Sequence, residues 1–514
     1  MKYTCDVAII GGGLAAYRAA VSAAESSAKV VLVDKGGSSS PFIMGFNAPV
    51  NSGDSTELFY QDLLDSSCAS GSLKLKKKLA AGSVEQFKYL EAQGLVFDRD
   101  PEGTVNSIGV LGCSVPRLVH IGGNTGSTLL AFLKKKAEAM NVTILSGTVC
   151  GLSVSDGVFC GLSGFSEKQD PFIVSAKSAV IACGGNGGLF RGSTYPDAIL
   201  GDGYSLALQA GAKLVDMEFQ QFEPCCFAFP ESIRGKLAVT TMLLKGGCLK
   251  NRLGDPFMIT NGKGYKIQKN ELAACIMKEV REGRGTQHGG VLYDVTGVEP
   301  ECVTGENGIF YNIALSGGID LLKEPAEVAP APHTEIGGIL INEKCETNVD
   351  GLYAAGESAG GIHGANRIGG CAGSETLVFG AEAGMQAAMY AANHSCQEHE
   401  RDFCPGDFIL NRDARSKLKD AASEWLSYDK SESSLQKGIQ WIREEKTTGS
   451  AAWKMTLQSV EAMLLSSLLR EESRGVFHRT DRPETVRKYD FQSNVVFLEN
   501  GVLKNETIDF RKEE

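Results

Sequence analysis

The sequence has few of the features that mark a secreted, membrane or metal-binding protein. No apolar run reaches the roughly 18 residues that a membrane-spanning helix needs. The N-terminus shows one lysine before a strand-like segment, so neither a signal peptide nor a transit peptide is visible. The 15 cysteines include no C-x-x-C spacing, which argues against an iron–sulfur cluster or a structural zinc site on this chain. We therefore expect a cytoplasmic protein with free thiols and no membrane span.

Positive charge is also in short supply. The chain has 51 Lys and Arg against 62 Asp and Glu, a formal net charge of −11. This balance is a poor electrostatic match for DNA, RNA or anionic lipid, so we expect no nucleic-acid partner. A length of 514 residues exceeds what one hydrophobic core usually organises, which predicts two or three domains.

Glycine is the residue in surplus. It accounts for 61 of 514 residues, about 12%, against an average of about 7%, and no G-X-Y period accompanies it. Glycine is used where the backbone turns sharply or approaches a ligand closely. The composition therefore predicts many such positions.

The first glycine cluster lies in a pattern typical of a dinucleotide site. The apolar segment TCDVAII (residues 4–10) runs into the turn GGGLAA, followed by an alanine-rich helix and a second apolar strand that ends at Asp34. The free N–H groups and positive dipole at the helix start suit a pyrophosphate, and the acid suits the ribose hydroxyls. We predict cofactor contacts from Gly11, Gly13, Leu14, Ala15, Ala16, Asp34, Lys35 and Ser40.

Two further apolar strands end in glycine. Residues 179–183 lead into GGNGG, near a helix that opens at Asp202, and the strand in LYAAGE ends at Gly356 and Glu357. Glycine-terminated strands so far apart in sequence favour FAD over NAD, because FAD needs contacts along its whole length. We add Asp202, Gly356 and Glu357 to the predicted cofactor residues.

The rest of the chain predicts the domain organisation. Mixed short elements follow residue 217, and from Pro405 to about Arg470 the pattern is helical. We expect an α/β fold: a Rossmann-like FAD-binding domain with an inserted α+β capping domain and a C-terminal helical domain. The predicted boundaries are 1–216 and 331–395 for the FAD-binding domain, 217–330 for the capping domain, and 400–514 for the C-terminal domain and tail.

Several motifs resemble one flavoprotein family. They are IIGGGLAA, MEFQQFEP, HTEIGGI, LYAAGES, HGANRIGG and ESRGVFHR, spread over the whole chain. The chain resembles the flavoprotein subunit of succinate dehydrogenase and fumarate reductase, and L-aspartate oxidase, as a divergent member. The resemblance implies that Ala372 and Gly373 open a helix at the flavin's pyrimidine edge. The histidine that carries FAD covalently in respiratory relatives is missing from residues 37–42, which implies non-covalent FAD.

The same resemblance predicts a changed substrate site. Relatives bind a dicarboxylate with two histidines and two arginines, one of which also donates the proton; His333 and Arg367 match two of these positions. The other two fall on Glu223 and Leu243, with Lys245 in place of a motif glutamate. Losing two charge-assisted hydrogen bonds costs about 3–6 kcal/mol, a factor of roughly one hundred to ten thousand in binding. Succinate and fumarate are therefore not expected as the natural substrate.

The roles of the site residues are open to alternatives. Arg367 suits a carboxylate, or pairs structurally with Glu357 or Glu375. Glu223 binds an ammonium or hydroxyl group of the substrate or acts as general base, or it pairs with Lys245 or Arg234, which are also weaker candidates for the proton donor. The adjacent Cys225 and Cys226 are either reactive or, as we expect, buried and inert.

We therefore predict an FAD-dependent oxidoreductase that transfers a hydride between flavin N5 and a small organic acid carrying a carboxylate. Glu223, His333, Arg367 and Lys245 are its predicted catalytic residues. One alternative is an amino-acid oxidase of the L-aspartate oxidase type, acting on a C–N bond. Others are an electron-transfer subunit that works with an iron–sulfur or other redox protein, and a flavoprotein that only binds its ligand.

Overall fold

The secondary structure is taken from a computed structural model that describes residues 1–396 and 405–512. The helices are α1 (Leu14–Glu25), α2 (Thr56–Ser66), α3 (Leu73–Ala92), α4 (Thr125–Ala139), α5 (Asp202–Gln209), α6 (Phe257–Thr260), α7 (Lys269–Arg281), α8 (Gly308–Ser316), α9 (Cys371–Ala392), α10 (Arg412–Trp425), α11 (Glu432–Glu445) and α12 (Ala451–Leu469). The strands are β1 (Lys2–Ile10), β2 (Val30–Asp34), β3 (Phe46–Asn47), β4 (Ser107–Ile108), β5 (Leu118–Val119), β6 (Thr143–Ser155), β7 (Val158–Ser166), β8 (Pro171–Ile181), β9 (Leu214–Val215), β10 (Gln220–Phe229), β11 (Cys248–Lys250), β12 (Val291–Asp294), β13 (Ala326–Glu335), β14 (Gly338–Leu340), β15 (Leu352–Ala354), β16 (Ala359–Gly360), β17 (Asp429–Lys430), β18 (His478–Arg479), β19 (Gln492–Glu499) and β20 (Val502–Asp509).

The first sheet brings the three glycine-terminated strands side by side. Strand β1 is parallel to both β2 and β8, and β15 is parallel to β8 on its other side. Strands β6, β7 and β8 add an antiparallel meander. Because the carboxyl ends of parallel strands meet at one edge, the turns after β1, β8 and β15 share that edge.

Helix α1 is buried between this sheet and α9. Its residues from Leu14 to Ala23 are all buried, and the Ser22 hydroxyl donates a 2.7 Å hydrogen bond to the Ala381 carbonyl of α9. Alanine along α1 leaves room for this close helix packing. The middle of α9 is thereby held against α1, although Ser22 and Ala381 are 359 positions apart in the sequence.

A second hydrophobic core forms in the middle of the chain. Strands β10, β13, β12 and β11 make a four-stranded antiparallel sheet, on which α7 packs. Buried residues from Cys225 to Val328 form a cluster of their own. The predicted domain boundaries stay a prediction, and residues 400–404 and 513–514 of the last one lie outside the described residues.

The C-terminal part of the chain contains both a group of helices and a strand that joins a sheet. Helices α10, α11 and α12 pack together, whereas β19 pairs antiparallel with β9, with Val495 opposite Val215. The segment predicted as a strand in the tail, residues 494–498, is therefore an inner strand of a five-stranded sheet. This part of the chain is not exclusively helical, because β19 completes a sheet begun by β9 and β14.

Candidate active site

The turn after β1 brings backbone close to the end of β2. Gly11 has a φ of +138°, and a Cβ there would lie 2.1 Å from the Ala182 carbonyl oxygen. A Cβ on Gly12 would lie 1.8 Å from the Asp34 carboxylate, so a side chain there would displace the side chain of Asp34. Asp34 itself accepts hydrogen bonds from the Gly36 N–H at 2.8 Å and the Tyr17 hydroxyl at 3.2 Å.

Three helices near this edge begin without a capping side chain. Helices α1, α5 and α9 have the N-cap residues Gly13, Gly201 and Gly370, none of which supplies a side-chain hydrogen bond. Helices α2, α3, α10, α11 and α12 are capped by side-chain oxygens, from Ser55, Ser72, Asn411, Ser431 and Ser450, whereas α4, α6 and α8 also begin without a side-chain cap. Uncapped first turns leave N–H groups and a positive dipole available to an anion.

The predicted cofactor residues lie around these helix starts. The Leu14 N–H donates to the Ser40 hydroxyl at 2.9 Å, and Lys35 pairs with Asp202 at the start of α5. A Cβ on Gly356 would lie 2.7 Å from the Cβ of Ala15. Next to them are Ala16, which is buried in α1, and Ala372 and Gly373 in the first turn of α9.

A pair of buried acids lies beside the turn after β15. The Glu335 N–H donates to the Glu357 carboxylate at 3.0 Å, and the Asn186 amide donates to the Glu335 carboxylate at 3.0 Å. Burial raises the pKa of each carboxyl to about 8. Both side chains are therefore mainly protonated and uncharged at neutral pH.

The substrate-site candidates lie on two paired strands of the middle sheet and one loop. His333 is near the end of β13 and Glu223 is on β10, with His333 Nε2 3.7 Å from Glu223 Oε2. Burial, with the positive charges of Lys269 and Arg367, lowers the pKa of His333 well below its ordinary value. The imidazole is therefore neutral at physiological pH. About 25% of its side chain is exposed, so it remains accessible to a ligand.

Lys269 is a site residue that sequence reasoning missed. It is the first residue of α7, and its ammonium group pairs with the Glu223 carboxylate, whose side chain is only 3% exposed. A Cβ on Gly369 would lie 3.9 Å from Lys269 Cε, so this lysine also approaches the loop that carries Arg367. No sequence motif marks Lys269. The signal that could have indicated a cation near position 223 was physical, because a buried carboxylate there needs one nearby.

The predicted pairing of Glu223 with Lys245 or Arg234 is wrong. Lys245 is exposed on a 3-10 helix (Thr240–Lys245) whose Leu243 is buried in the middle core, so Lys245 is turned to solvent. Arg234 is exposed and pairs with Glu231 at 3.3 Å. In the described part of the chain Lys245 has no contact with Glu223 or His333. Its predicted catalytic role stays a prediction.

Arg367 lacks the carboxylate partners that the structural alternative required. Within the described residues it forms no ion pair; its Nη1 donates to the Ile368 carbonyl at 3.0 Å, and its buried Nε has no partner. Both acids have other partners: Glu375 is hydrogen-bonded to His363 at 2.9 Å, and Glu357 accepts a hydrogen bond from the Glu335 N–H. The Gln221 amide holds the Arg367 carbonyl at 2.9 Å, which fixes the loop.

Comparison with known proteins decides the family. Residues 6–372 match the family described as FAD binding domain. The chain is 32% identical to a fumarate reductase (CoM/CoB) subunit of Methanothermobacter marburgensis, over 94% of this chain and 95% of that protein. It is 29% identical to the L-aspartate oxidase of Bacillus subtilis, over 98% and 96%. The protein belongs to this FAD-binding family.

Solved structures agree with this assignment. A structure of E. coli quinol fumarate reductase FrdA superposes with a TM-score of 0.88 at 25% identity, covering 99% of this chain and 97% of that one. The predicted fold class, α/β with a Rossmann-like FAD-binding part, is confirmed, as are FAD as cofactor and the resemblance to succinate dehydrogenase, fumarate reductase and L-aspartate oxidase. The protein is an FAD-dependent oxidoreductase.

The residues present suit FAD. The turn after β1 leaves no room for a side chain at Gly11, and the starts of α1, α5 and α9 lack capping side chains, which suits the phosphates and the ring of FAD; at α1 the Leu14 N–H is already bound by Ser40. The individual contacts of the predicted cofactor residues stay predictions. Among residues 1–396 and 405–512, no helix is long and apolar enough to cross a membrane.

The adjacent thiols behave as packing residues. Cys225 and Cys226 are 0% and 1% exposed, and burial raises the pKa of both above their ordinary range. A thiol needs to ionise to act as a nucleophile. Neither side chain is therefore suited to react with FAD or substrate.

Proposed function

We propose that this FAD-dependent oxidoreductase acts on a small organic acid whose carboxylate is bound by Arg367 and His333. The observation that carries the proposal is the buried Arg367 guanidinium, which lacks an acidic partner among the described residues and has an unsatisfied Nε. An unpaired buried charge is costly, and a substrate carboxylate matches the planar guanidinium with two parallel hydrogen bonds. The neutral His333 beside it supplies a further hydrogen-bonding group.

The charges around this position favour a substrate with one negative group. Arg367 and Lys269 are positive, Glu223 is negative, and His333, Glu335 and Glu357 are neutral near pH 7. Among Arg367, Lys269 and Glu223 the sum is one positive charge, which one carboxylate neutralises. A second carboxylate would find no further unpaired cation among these residues, because Lys269 is already paired with Glu223, which supports the prediction that succinate and fumarate are not the natural substrates.

The Lys269–Glu223 pair is the best-placed group for moving a proton. Bound FAD supplies two-electron chemistry, accepting or giving a hydride. A matching proton must enter or leave the substrate, and the Lys269 ammonium, 14% exposed, lies at the accessible side of the pair. The Glu223 carboxylate orients the Lys269 ammonium, and it is placed to exchange a proton with Lys269 after each transfer. This assigns the proton to Lys269 Nζ rather than to Lys245.

The amino-acid oxidase alternative makes a different demand on Glu223. To bind a substrate ammonium, Glu223 would have to share its carboxylate with Lys269, which already occupies it. A Glu223→Gln variant separates the two ideas. If Glu223 is an ammonium receptor, the variant loses turnover of amines selectively; if it orients Lys269, turnover of every substrate falls alike.

Anaerobic bleaching of the flavin by monocarboxylates, dicarboxylates and amino acids tests the substrate class. We expect bleaching or, for the reduced enzyme, reoxidation by a monocarboxylic acid, with Arg367→Gln weakening its binding about 100-fold through loss of two charge-assisted hydrogen bonds. Arg443→Gln, on the exposed face of α11, is the matched control. Equal binding by Arg367→Gln and wild type would contradict the proposal.

A second candidate function is that of an electron-transfer subunit. Phe42 is 72% and Met44 45% exposed, directly after the predicted cofactor residue Ser40. Two exposed apolar side chains this close together give a small apolar surface next to the predicted cofactor residues, and the relative from Methanothermobacter marburgensis is named as one subunit of a fumarate reductase. Reduced enzyme that air reoxidises would favour the stand-alone oxidoreductase. Reoxidation that needs an added iron–sulfur or other redox protein, and that Phe42→Ser slows, would favour the electron-transfer role.

The attachment of FAD is proposed to be non-covalent. Residues 37–42 contain no histidine, in contrast to the covalent attachment expected of respiratory relatives. Acid precipitation should therefore leave the yellow cofactor in the supernatant; flavin that stays with the pellet would contradict this. A cytoplasmic location also remains a proposal, supported by the free thiols of the described cysteines.

A further inference from the structure

The carbonyl of Pro332 receives an unusual number of donors from the loop before α5. The Thr194 N–H donates to it at 3.1 Å and the Ser193 hydroxyl at 3.2 Å. The Thr194 hydroxyl lies farther away, at 3.4 Å. The same Thr194 hydroxyl lies 3.0 Å from Nδ1 of His333, the residue that follows Pro332.

The shorter contact of the Thr194 hydroxyl is the one to His333 Nδ1, at 3.0 Å against 3.4 Å for the Pro332 carbonyl, which makes that nitrogen its favoured acceptor. A carbonyl oxygen has two lone pairs, and the Thr194 N–H and the Ser193 hydroxyl occupy them at the shorter distances. The Thr194 hydroxyl therefore donates to His333 Nδ1. A ring nitrogen that accepts a hydrogen bond carries no proton, so in neutral His333 the proton is on Nε2.

We infer that Thr194 is a positioning residue that holds His333 in the tautomer with its proton on Nε2. This inference rests on the proposed function for its consequence at the substrate. Because Nδ1 is engaged by Thr194, Nε2 is the ring nitrogen left for the proposed substrate carboxylate, and it lies 3.7 Å from Glu223 Oε2. A proton there donates to an anionic oxygen, whereas the opposite tautomer would present a lone pair and repel it.

His333 must stay neutral for this device to operate, and its surroundings keep it neutral. Burial disfavours the imidazolium, and the positive charges of Lys269 and Arg367 act in the same direction, so the pKa of His333 is lowered. Thr194 supplies no charge and controls the proton only through one hydrogen bond. Its effect is therefore on which nitrogen carries the proton and not on the charge of the site.

The tautomer is measurable in the resting holoenzyme. With histidine labelled at both ring nitrogens, protonated and bare nitrogens have well-separated 15N shifts, and a His333→Gln sample identifies the His333 signals among those of the 7 histidines. We expect wild type and Thr194→Ser to show protonated Nε2, and Thr194→Val to show mixed or Nδ1-protonated His333. Protonated Nδ1 in wild type, or an unchanged spectrum in Thr194→Val, would overturn the inference.

Binding of monocarboxylates to the same variants tests the consequence. Thr194→Val should bind about 10- to 100-fold more weakly, the effect of one hydrogen bond to a charged group, and Thr194→Ser should restore binding. Thr304→Val, an exposed threonine in the capping region, is the control. A tautomer change without any effect on binding would leave Thr194 as the tautomer switch and refute the proposed carboxylate site instead, so the two failures are distinguishable.

Discussion

Replacing Lys269 by methionine should lower both the stability and the turnover of the protein, because it breaks the ion pair with Glu223 and removes the proposed proton-transfer group. The Glu223 side chain is 3% exposed, so removing the ammonium leaves a buried carboxylate without its cation. Breaking a buried pair in this way costs about 3–5 kcal/mol. Loss of a general acid or base lowers turnover about 100- to 10,000-fold. The double variant Lys269→Met with Glu223→Gln removes both charges, so we expect it to regain most of the stability and none of the turnover.

Thermal unfolding followed by circular dichroism, together with flavin-bleaching rates at saturating substrate, measures both effects. Lys278→Met is the matched control, because Lys278 is on the same helix, is 65% exposed and contacts Glu282 only at 3.9 Å. Its stability and rate should equal those of wild type. Turnover of the double variant at the wild-type rate would refute the proton-transfer role, and an unchanged melting temperature in Lys269→Met alone would refute the buried pair.

Three further predictions concern the cofactor, pH and the capping region. Gly12→Ala places a Cβ 1.8 Å from Asp34, so we expect at least about tenfold faster FAD loss, measured by flavin fluorescence, with little change in circular dichroism. Folding raises the pKa of Glu335 from 4.5 to about 8, so between these two pH values the folded protein keeps a proton that the unfolded chain loses. The free energy of unfolding therefore falls by up to about 1.4 kcal/mol for each unit that the pH rises from 4.5 to 8. Glu335→Gln should flatten that part of the melting-temperature curve, and an unchanged slope would contradict it. Arg281→Gln removes the 2.8 Å contact of α7 with Asp429, worth about 0.2–1 kcal/mol, without touching the Asp429–His478 contact, and should speed limited proteolysis between residues 217 and 330 a few-fold.

The nucleotide unit was predictable because its determinants are local. The turn after β1 requires residues without side chains, and the helix and acid follow within 24 residues of Gly11. The predicted strand at residues 4–10 and the helix to about Ser26 correspond to β1 and α1, which end at Ile10 and Glu25. Periodicity and turn chemistry act over a few residues, so they are readable without knowledge of the fold.

The partner of Glu223 was not predictable in the same way. Lys269 is 46 positions away and no motif marks it, whereas Lys245 and Arg234 are closer to Glu223 in sequence. The packing of α7 on the middle sheet decides the matter, because it carries the first residue of the helix to β10. The pairing of β19 with β9 is a similar case, since a short apolar strand has many compatible partners.

The glycine-terminated strands indicated an FAD site, because close backbone approach to a cofactor demands particular residues at particular spacings. The oxidoreductase activity was implied by the family resemblance, which rests on motifs such as HGANRIGG. Only the tertiary structure decided the charge of the substrate site. Charges interact over a few ångströms in space irrespective of separation along the chain. The pairing of Glu223 with Lys269, the unpaired state of Arg367 and the hydroxyl on His333 Nδ1 therefore emerge only when β10, β13, α7 and two distant loops come together.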